Sequence, residues 1–357
     1  MAKIKINEHE VIAEEGMTLL EIIDETYMLL TKDKNIANKI VPRLCNHEAL
    51  EPYASCRLCL VEVEKNGRSK LETSCNYKVK DNEPITVYTS TPRILKTRKM
   101  NMELLLAKSP NSEFLKHFAF TLGVKKNERY KTKGDNYLEN CIECGICTRT
   151  CEKIIGKSAI TLLSRGTDKH LTTKASEDCI GCGMCYHICP TNAIKMEEKD
   201  GKRIIHGKEF ELVKCPTCET PYATKEMIQY KKELLKDIKL PEDFFTKCQK
   251  CYDTSLKDEK LNFESKYAVD VLKNICKDCH RCVEACPKGL ISQTEDFNQK
   301  GYAAVKWNPV PKGLKKGDLE NIDLEKLSCA GCQACYRACP ESAIDVYTKK
   351  GKIIILK

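Results

Sequence analysis

Every one of the 24 cysteines in this 357-residue chain falls into one of six four-cysteine groups with metal-site spacing. A chain so dense in cysteine is organised either by disulfides or by metal thiolates, and the redox compartment decides which. The opening residues, Met1 to Glu10, hold no apolar stretch of the secretory kind, and no run approaches the roughly 18 apolar residues of a membrane span. The expectation is a cytoplasmic protein with its cysteines on metal.

Cys45, Cys56, Cys59 and Cys75 form a C-x10-C-x2-C-x15-C pattern. Plant-type [2Fe–2S] proteins use C-x4-C-x2-C with a distant fourth ligand. Here the first gap is longer, but the close pair and the distant cysteine remain, so one [2Fe–2S] cluster is expected; a zinc site is the alternative. The flanking residues agree. Lys3–Ile6 and Glu10–Ala13 alternate as a hairpin, Thr18–Tyr27 has helical periodicity with Thr18 and Glu21 spaced as a capping box, and Leu60–Glu64 and Ile85–Tyr88 are expected strands. That order is a β-grasp.

Four runs share the spacing C-x2-C-x2-C-x3-C, in which the fourth cysteine of one run ligates the other run's cluster. In the first pair, Cys141, Cys144 and Cys147 with Cys189 are expected to hold one [4Fe–4S] cluster, and Cys179, Cys182 and Cys185 with Cys151 a second. The second pair repeats this: Cys276, Cys279, Cys282 with Cys339, and Cys329, Cys332, Cys335 with Cys286. Such short loops turn three thiolates inward while backbone N–H groups point at the sulfurs. Gly145 and Gly183 are expected to relieve the turns, and Pro190 to start a helix; Glu152 stands where the first run would have proline. Forty-two residues separate Cys286 from Cys329, including Trp307 and the stretch PVPKGLKK, read as a surface loop or docking element.

Cys215, Cys218, Cys248 and Cys251 differ, with a C-x2-C-x29-C-x2-C pattern. Two knuckles of this kind make one tetrahedral S4 site, for structural zinc or for a rubredoxin-type iron. Rubredoxin knuckles favour glycine after the second cysteine, whereas Glu219 and Tyr252 follow here, which favours zinc.

The formal charge of +9 counts thiolates as neutral. Six four-thiolate sites at about −2 each bring the balance to about −3. The basic residues are spread along the chain, so they read as solvated faces offsetting the clusters and not as a nucleic-acid footprint.

The expected class is α+β: a β-grasp [2Fe–2S] domain (1–92), a helical linker (93–130), a 2[4Fe–4S] ferredoxin module (131–206), a four-cysteine, zinc-ribbon-like insert (207–262) and a second 2[4Fe–4S] module (263–357). The linker pattern gives helices over Arg93–Leu106 and Ser112–Leu122, broken at Ser109-Pro110-Asn111, and the insert a helix over Lys225–Lys236.

The stretch from Val41 to Val79, with Cys45, Cys56, Cys59 and Cys75, resembles the N-terminal domain of the large iron–sulfur subunit of respiratory NADH dehydrogenase, and equally that of NAD-linked, electron-bifurcating hydrogenases and formate dehydrogenases. The likeness runs through NCIECGICTRTCEKIIG and DCIGCGMCYHICPTNAI, over about residues 1 to 200. Two departures stand out. The group's usual His-plus-three-Cys cluster has no counterpart in AKSPNSEFLKHFAFTLGV, which leaves His117 an ordinary residue; and a ribbon and a second ferredoxin stand where a catalytic domain is usual.

No dinucleotide fingerprint, P-loop or spare thiol is present, so no substrate site is expected. The resemblance implies an electron-wiring subunit. Its partners would be a flavin- and NAD(P)-binding subunit, and a catalytic oxidoreductase (hydrogenase, formate dehydrogenase or aldehyde oxidoreductase) or soluble ferredoxin, with bifurcation left open. A free-standing polyferredoxin is the rival reading.

Overall fold

The structure is a computed structural model that describes residues 1–32, 40–47, 49–81, 84–125, 130, 138–172, 174–234, 236, 245–248, 251, 267–271, 281–286, 290–297, 303–307, 335, 344–348 and 354–356. It divides into two compact units: Met1–Gly145 with Pro190–Ala193 and Lys350–Lys357, and Ile146–Cys189 with Ile194–Lys349.

In the first unit, strands β1 (Ala2–Ile6) and β2 (His9–Ala13) form the expected hairpin. Helix α1 (Leu19–Thr31) follows. Its capping box is present: Thr18 Oγ1 accepts from the Glu21 N–H at 3.3 Å, and the Glu21 carboxylate accepts from the Thr18 N–H at 2.8 Å. Two orphan donors of the first turn are thereby satisfied. Strands β3 (Leu60–Lys65), β4 (Arg68–Thr73) and β5 (Ile85–Tyr88) complete the layer; β5 runs parallel to β1 and antiparallel to β3. The apolar side of α1, from Leu19 and Ile22 to Ile23, packs on Ile4, Ile6, Val61 and Val87, all buried. Each such side chain contributes about 1.5–3 kcal/mol when buried. Asn7 locks the hairpin turn: its amide donates to Tyr27 Oη at 2.6 Å and to Thr89 Oγ1 at 3.0 Å.

Helix α2 (Pro92–Lys108) begins at Thr91, whose hydroxyl caps Ile94 N–H, and α3 (Glu113–Thr121) begins at Ser112, which caps Leu115 N–H. The break between them falls at Ser109–Asn111, as the sequence predicts. One strand of this sheet comes from the far end of the chain. Ile354–Leu356 pairs antiparallel with β2, opposite Ile12, Val11 and Glu10, so the six-stranded layer is closed on that edge by the C-terminal segment.

The second unit begins with α4 (Ile146–Thr150), which continues as a single π-type turn over Cys151–Ile155 and ends at Gly156 in the left-handed region. The continuation is possible because Glu152 carries an N–H that a proline would lack. A short ladder then pairs β6 (Leu162–Leu163) with β7 (His170–Leu171). The short helix α5 (Met184–His187) ends before Cys189, and Pro190 heads a turn, not the helix expected from sequence. Four strands then form an antiparallel meander, β8 (Met196–Lys199), β9 (Lys202–Ile205), β10 (Lys208–Lys214) and β11 (Pro221–Thr224). Residues 206 and 207 sit in the tight turn between the paired strands β9 and β10. Helix α6 (Lys225–Leu234) packs back onto the cluster loops, joining Met227 to Ile155, Ile180, Met184 and Ala223 in one buried group.

Further along, β12 (Tyr267–Val271) pairs with Ile344–Thr348, bringing the two ends of the last module together. The segment between Cys286 and Cys329 is not all loop: Ile291–Phe297 and Ala303–Trp307 form a hairpin, with Ile291 and Val305 buried. The stretch PVPKGLKK and the Trp307 side chain lie outside what is described. Among the described residues no helix is long and apolar enough to cross a membrane.

Candidate iron–sulfur and metal sites

All four cysteines of the N-terminal group are buried. They approach as two pairs. The N–H of Cys56 points at Cys45 Sγ at 3.4 Å, and Cys59 Sγ lies 3.4 Å from Cys75 Sγ. Strands β3 and β4 set the second pair, because Cys59 precedes one and Cys75 follows the other; Ser74 fixes the join through its hydroxyl and N–H to Cys59 O at 2.8 and 3.0 Å. In each pair one thiol supports its partner's thiolate. The hydrogen bond from Cys56 brings Cys45 down to about 5, and that from Cys75 brings Cys59 to about 7. Helix α2 grips the same loop: Asn101 Nδ2 donates to Arg57 O at 2.8 Å, and the buried Arg98 donates to Leu60 O.

The two following runs share one backbone. Glu143 (φ 53°) and Gly145 (φ 69°) in the first correspond to Gly181 (φ 64°) and Gly183 (φ 73°) in the second. A left-handed residue two and four places after the leading cysteine folds the loop so that its sulfurs converge. In the second run only glycine fits: a Cβ on Gly181 would sit 2.7 Å from the Phe210 ring, and one on Gly183 2.8 Å from Met196 Sδ. In the first, the Glu143 carboxylate forms an ion pair with Lys108, and Ser109 Oγ donates to Cys141 O at 3.0 Å, which ties the loop to the end of α2. Cys141 and Cys144 belong to the first unit, Cys147 and Cys189 to the second.

Cys151, Cys179, Cys182 and Cys185 line one recess within the second unit. Apart from Lys157 and His206, its other walls are apolar, including Ile160 and Met184. Burial raises all four thiols, Cys182 to about 12. Backbone N–H groups of Ala159, Gly181, Met184 and Tyr186 oppose that by pointing at the sulfurs. Four thiols sharing one recess ionise together most readily around compensating positive charge. An iron–sulfur cluster fits that donor set.

In the third site the sulfurs of Cys215, Cys218, Cys248 and Cys251 all lie within 4.8 Å of one another. Four sulfurs bound tetrahedrally at about 2.3 Å from one ion stand about 3.8 Å apart. This quartet therefore suits a single ion, and among the described residues no other group of three or more donors is so tight. The knuckle sits in the β10–β11 turn, where Cys215 N–H donates to Thr220 O at 3.0 Å and Glu219 N–H to Cys215 O at 2.8 Å. Glu219 takes φ 58°, the conformation glycine would adopt there at no cost. The module is fastened to the neighbouring loops by Thr224 Oγ1 to Ile180 O at 2.6 Å and Tyr230 Oη to Ile155 O at 2.9 Å.

Of the last two runs, Cys282, Cys286 and Cys335 are described; Cys276, Cys279, Cys329, Cys332 and Cys339 lie outside the described residues. Cys282 and Cys335 are buried, and Leu290 N–H points at Cys286 Sγ at 3.3 Å. Sequence reasoning missed Arg98, Lys108 with Glu143, and His206. Only the His206-Gly207 dipeptide, between two strand-like runs, carried a local signal, and it marks a turn without giving a direction for the side chain.

Comparison with known proteins places the cysteines other than Cys215, Cys218, Cys248 and Cys251 in recognised domains. Residues 1–90 match the 2Fe-2S iron-sulfur cluster binding domain, and residues 137–196 and 275–343 each match a 4Fe-4S dicluster domain. The G subunit of NADH-quinone oxidoreductase from Rickettsia bellii is 29% identical over 216 residues, covering 54% of this chain and 30% of that protein. A G-type subunit of the same enzyme from Rhizobium meliloti is 27% identical over 220 residues, covering 54% and 24%. The 75 kDa subunit of NADH-ubiquinone oxidoreductase from Reclinomonas americana is 27% identical over 176 residues, covering 43% and 25%. The chain thus spans less than a third of the length of these curated relatives. A chain from the crystal structure of an NAD+-reducing [NiFe]-hydrogenase in the H2-reduced state aligns over 54% of this chain and 86% of its own, with a TM-score of 0.43 and 24% identity.

Proposed function

We propose, on the premise that about half of this chain is homologous to the G subunit of NADH-quinone oxidoreductase, that it is an iron–sulfur electron-transfer subunit of a multi-subunit NAD(P)H- or ferredoxin-linked oxidoreductase. It would pass electrons between a flavoprotein and a catalytic partner such as a hydrogenase, formate dehydrogenase or aldehyde oxidoreductase, in anaerobic metabolism, with bifurcation left open. The observation that carries this reading is the recess in which Cys151 of one run meets Cys179, Cys182 and Cys185 of the other. When bound, iron–sulfur clusters supply one-electron transfer, spanning about −700 to +450 mV.

The chain's own residues do the rest. The pairs Cys45/Cys56 and Cys59/Cys75 would each hold one iron of a [2Fe–2S] centre in a β-grasp domain. Cys141, Cys144, Cys147 and Cys189 would hold one [4Fe–4S] centre, and Cys151, Cys179, Cys182 and Cys185 the next. The last two runs would hold two more in the crossed pattern. Cys215, Cys218, Cys248 and Cys251 would hold zinc, which has no redox chemistry and would brace the loops against which α6 packs. Apolar walls such as Ile160 and Met184 would limit water at the sulfurs once a cluster fills the recess.

Anaerobic purification from a native host tests the proposal. It predicts brown protein with about eighteen irons and one zinc per chain, co-isolated with a flavin-containing subunit. A colourless zinc protein, or a cluster-loaded monomer with no partner, would overturn it; the latter would mark a free polyferredoxin.

A further inference from the structure

His206 stands out among the walls of the second-unit recess. It is 5% exposed, and its Nε2 is buried with no hydrogen-bond partner among the described residues. A buried polar atom without a partner is destabilising, so its retention calls for an explanation. The backbone sharpens the point. His206 (φ 49°) and Gly207 (φ 67°) form a two-residue turn with both residues left-handed, closing the β9–β10 hairpin between Ile205 and Lys208. That turn favours Asn, Asp or Gly in its first place. The neighbouring hairpin follows the rule, with Asp200 and Gly201. Histidine at 206 therefore serves the turn less well than the obvious choice, while the residue lines the recess shared by Cys151, Cys179, Cys182 and Cys185.

We infer that His206 is a positioning residue that donates an N–H hydrogen bond from Nε2 to sulfur of the cluster in this recess and thereby raises its reduction potential. This rests on the reading of those four cysteines as one cluster site. A donor aimed at sulfur stabilises the additional negative charge of the reduced state more than the oxidised one. The recess offers few competitors: among the described residues its only other ionisable side chain besides the cysteines is Lys157, whose ammonium also lies 5.5 Å from the Tyr230 ring centre.

Two substitutions separate this role from a purely structural one. Gln places a side-chain NH2 near the position of Nε2, whereas Asn reaches only to that of Nδ1 but suits the left-handed turn better. The experiment is a redox titration of the full, cluster-loaded chain followed by electron paramagnetic resonance, with this cluster's signal identified by its loss in Cys151→Ala. His206→Asn is expected to keep full iron and fold stably, yet to lower the midpoint potential by about 59 mV or more, a tenfold change in a one-electron equilibrium. His206→Gln is expected to restore most of the wild-type value. Asn and wild type with equal potentials at equal iron content would overturn the inference alone. Wild-type protein with no cluster signal dependent on Cys151 would overturn the site reading beneath it.

Discussion

Arg98 donates from Nη2 to the carbonyl oxygen of Leu60 at 2.5 Å, one residue beyond Cys59. The arginine is 6% exposed, its Nε is buried without a partner, and burial brings its pKa down to about 10 against the opposing pull of Cys59. A cation is thus stored beside the N-terminal sulfurs at a desolvation cost that negative charge at the site would offset. Arg98→Met should leave the Leu60 carbonyl unpaired and cost about 1–3 kcal/mol in urea denaturation. It should also lower the midpoint potential of the [2Fe–2S] signal, with Arg98→Lys retaining part of the wild-type value. An unaltered potential in Arg98→Met would leave the residue a packing element only.

Cys151 lines the recess of the other run's cysteines, and its Sγ accepts from Ala159 N–H at 3.3 Å. Cys151→Ala should abolish or convert the cluster of the Cys179 loop while sparing that of the Cys141 loop, and Cys189→Ala should do the reverse. Resonance spectra and iron counts of the two variants decide between crossed and uncrossed ligation.

Gly181 can accept no side chain without moving Phe210. Gly181→Ala adds a Cβ 2.7 Å from the ring in a left-handed conformation, so a loss of about 2 kcal/mol or more is expected, with reduced cluster occupancy. Phe210→Leu combined with Gly181→Ala should recover part of the stability by removing the clash, but not the part due to φ 64°. Thermal denaturation of the single and double variants separates the two contributions.

Glu219 occupies a glycine conformation at the metal knuckle. Glu219→Gly should therefore stabilise the loaded protein by about 0.5–1 kcal/mol. Conversely, a zinc chelator should release one metal ion and weaken the protection of amides in β10 and β11 from hydrogen exchange, while the visible absorbance of the clusters persists. Loss of colour in step with the ion would mean that the quartet is not independent of the clusters.

The local features were legible because their causes are local. The Thr18/Glu21 box, the helix break at Ser109–Asn111 and the period-two strands each depend on residues within a turn or two of one another. Pro190 misled because a proline suits the first turn of a helix without compelling one. The β4 strand was hidden by its exposed, polar sequence RSKLET, which only pairing with β3 makes extended.

By itself the sequence determined which cysteines share a loop, since the C-x2-C-x2-C runs and the two knuckles are set by chain geometry over a few residues. Only the tertiary structure decided what surrounds them. The edge strand Ile354–Leu356 on β2, the α2 cation beside Cys59 and the turn that carries His206 to its recess all join residues far apart in the chain. Such contacts depend on the packing of whole elements, and no spacing rule within the sequence encodes them. The 24 cysteines thus fix the inventory of sites, and the fold sets the electrostatics around them.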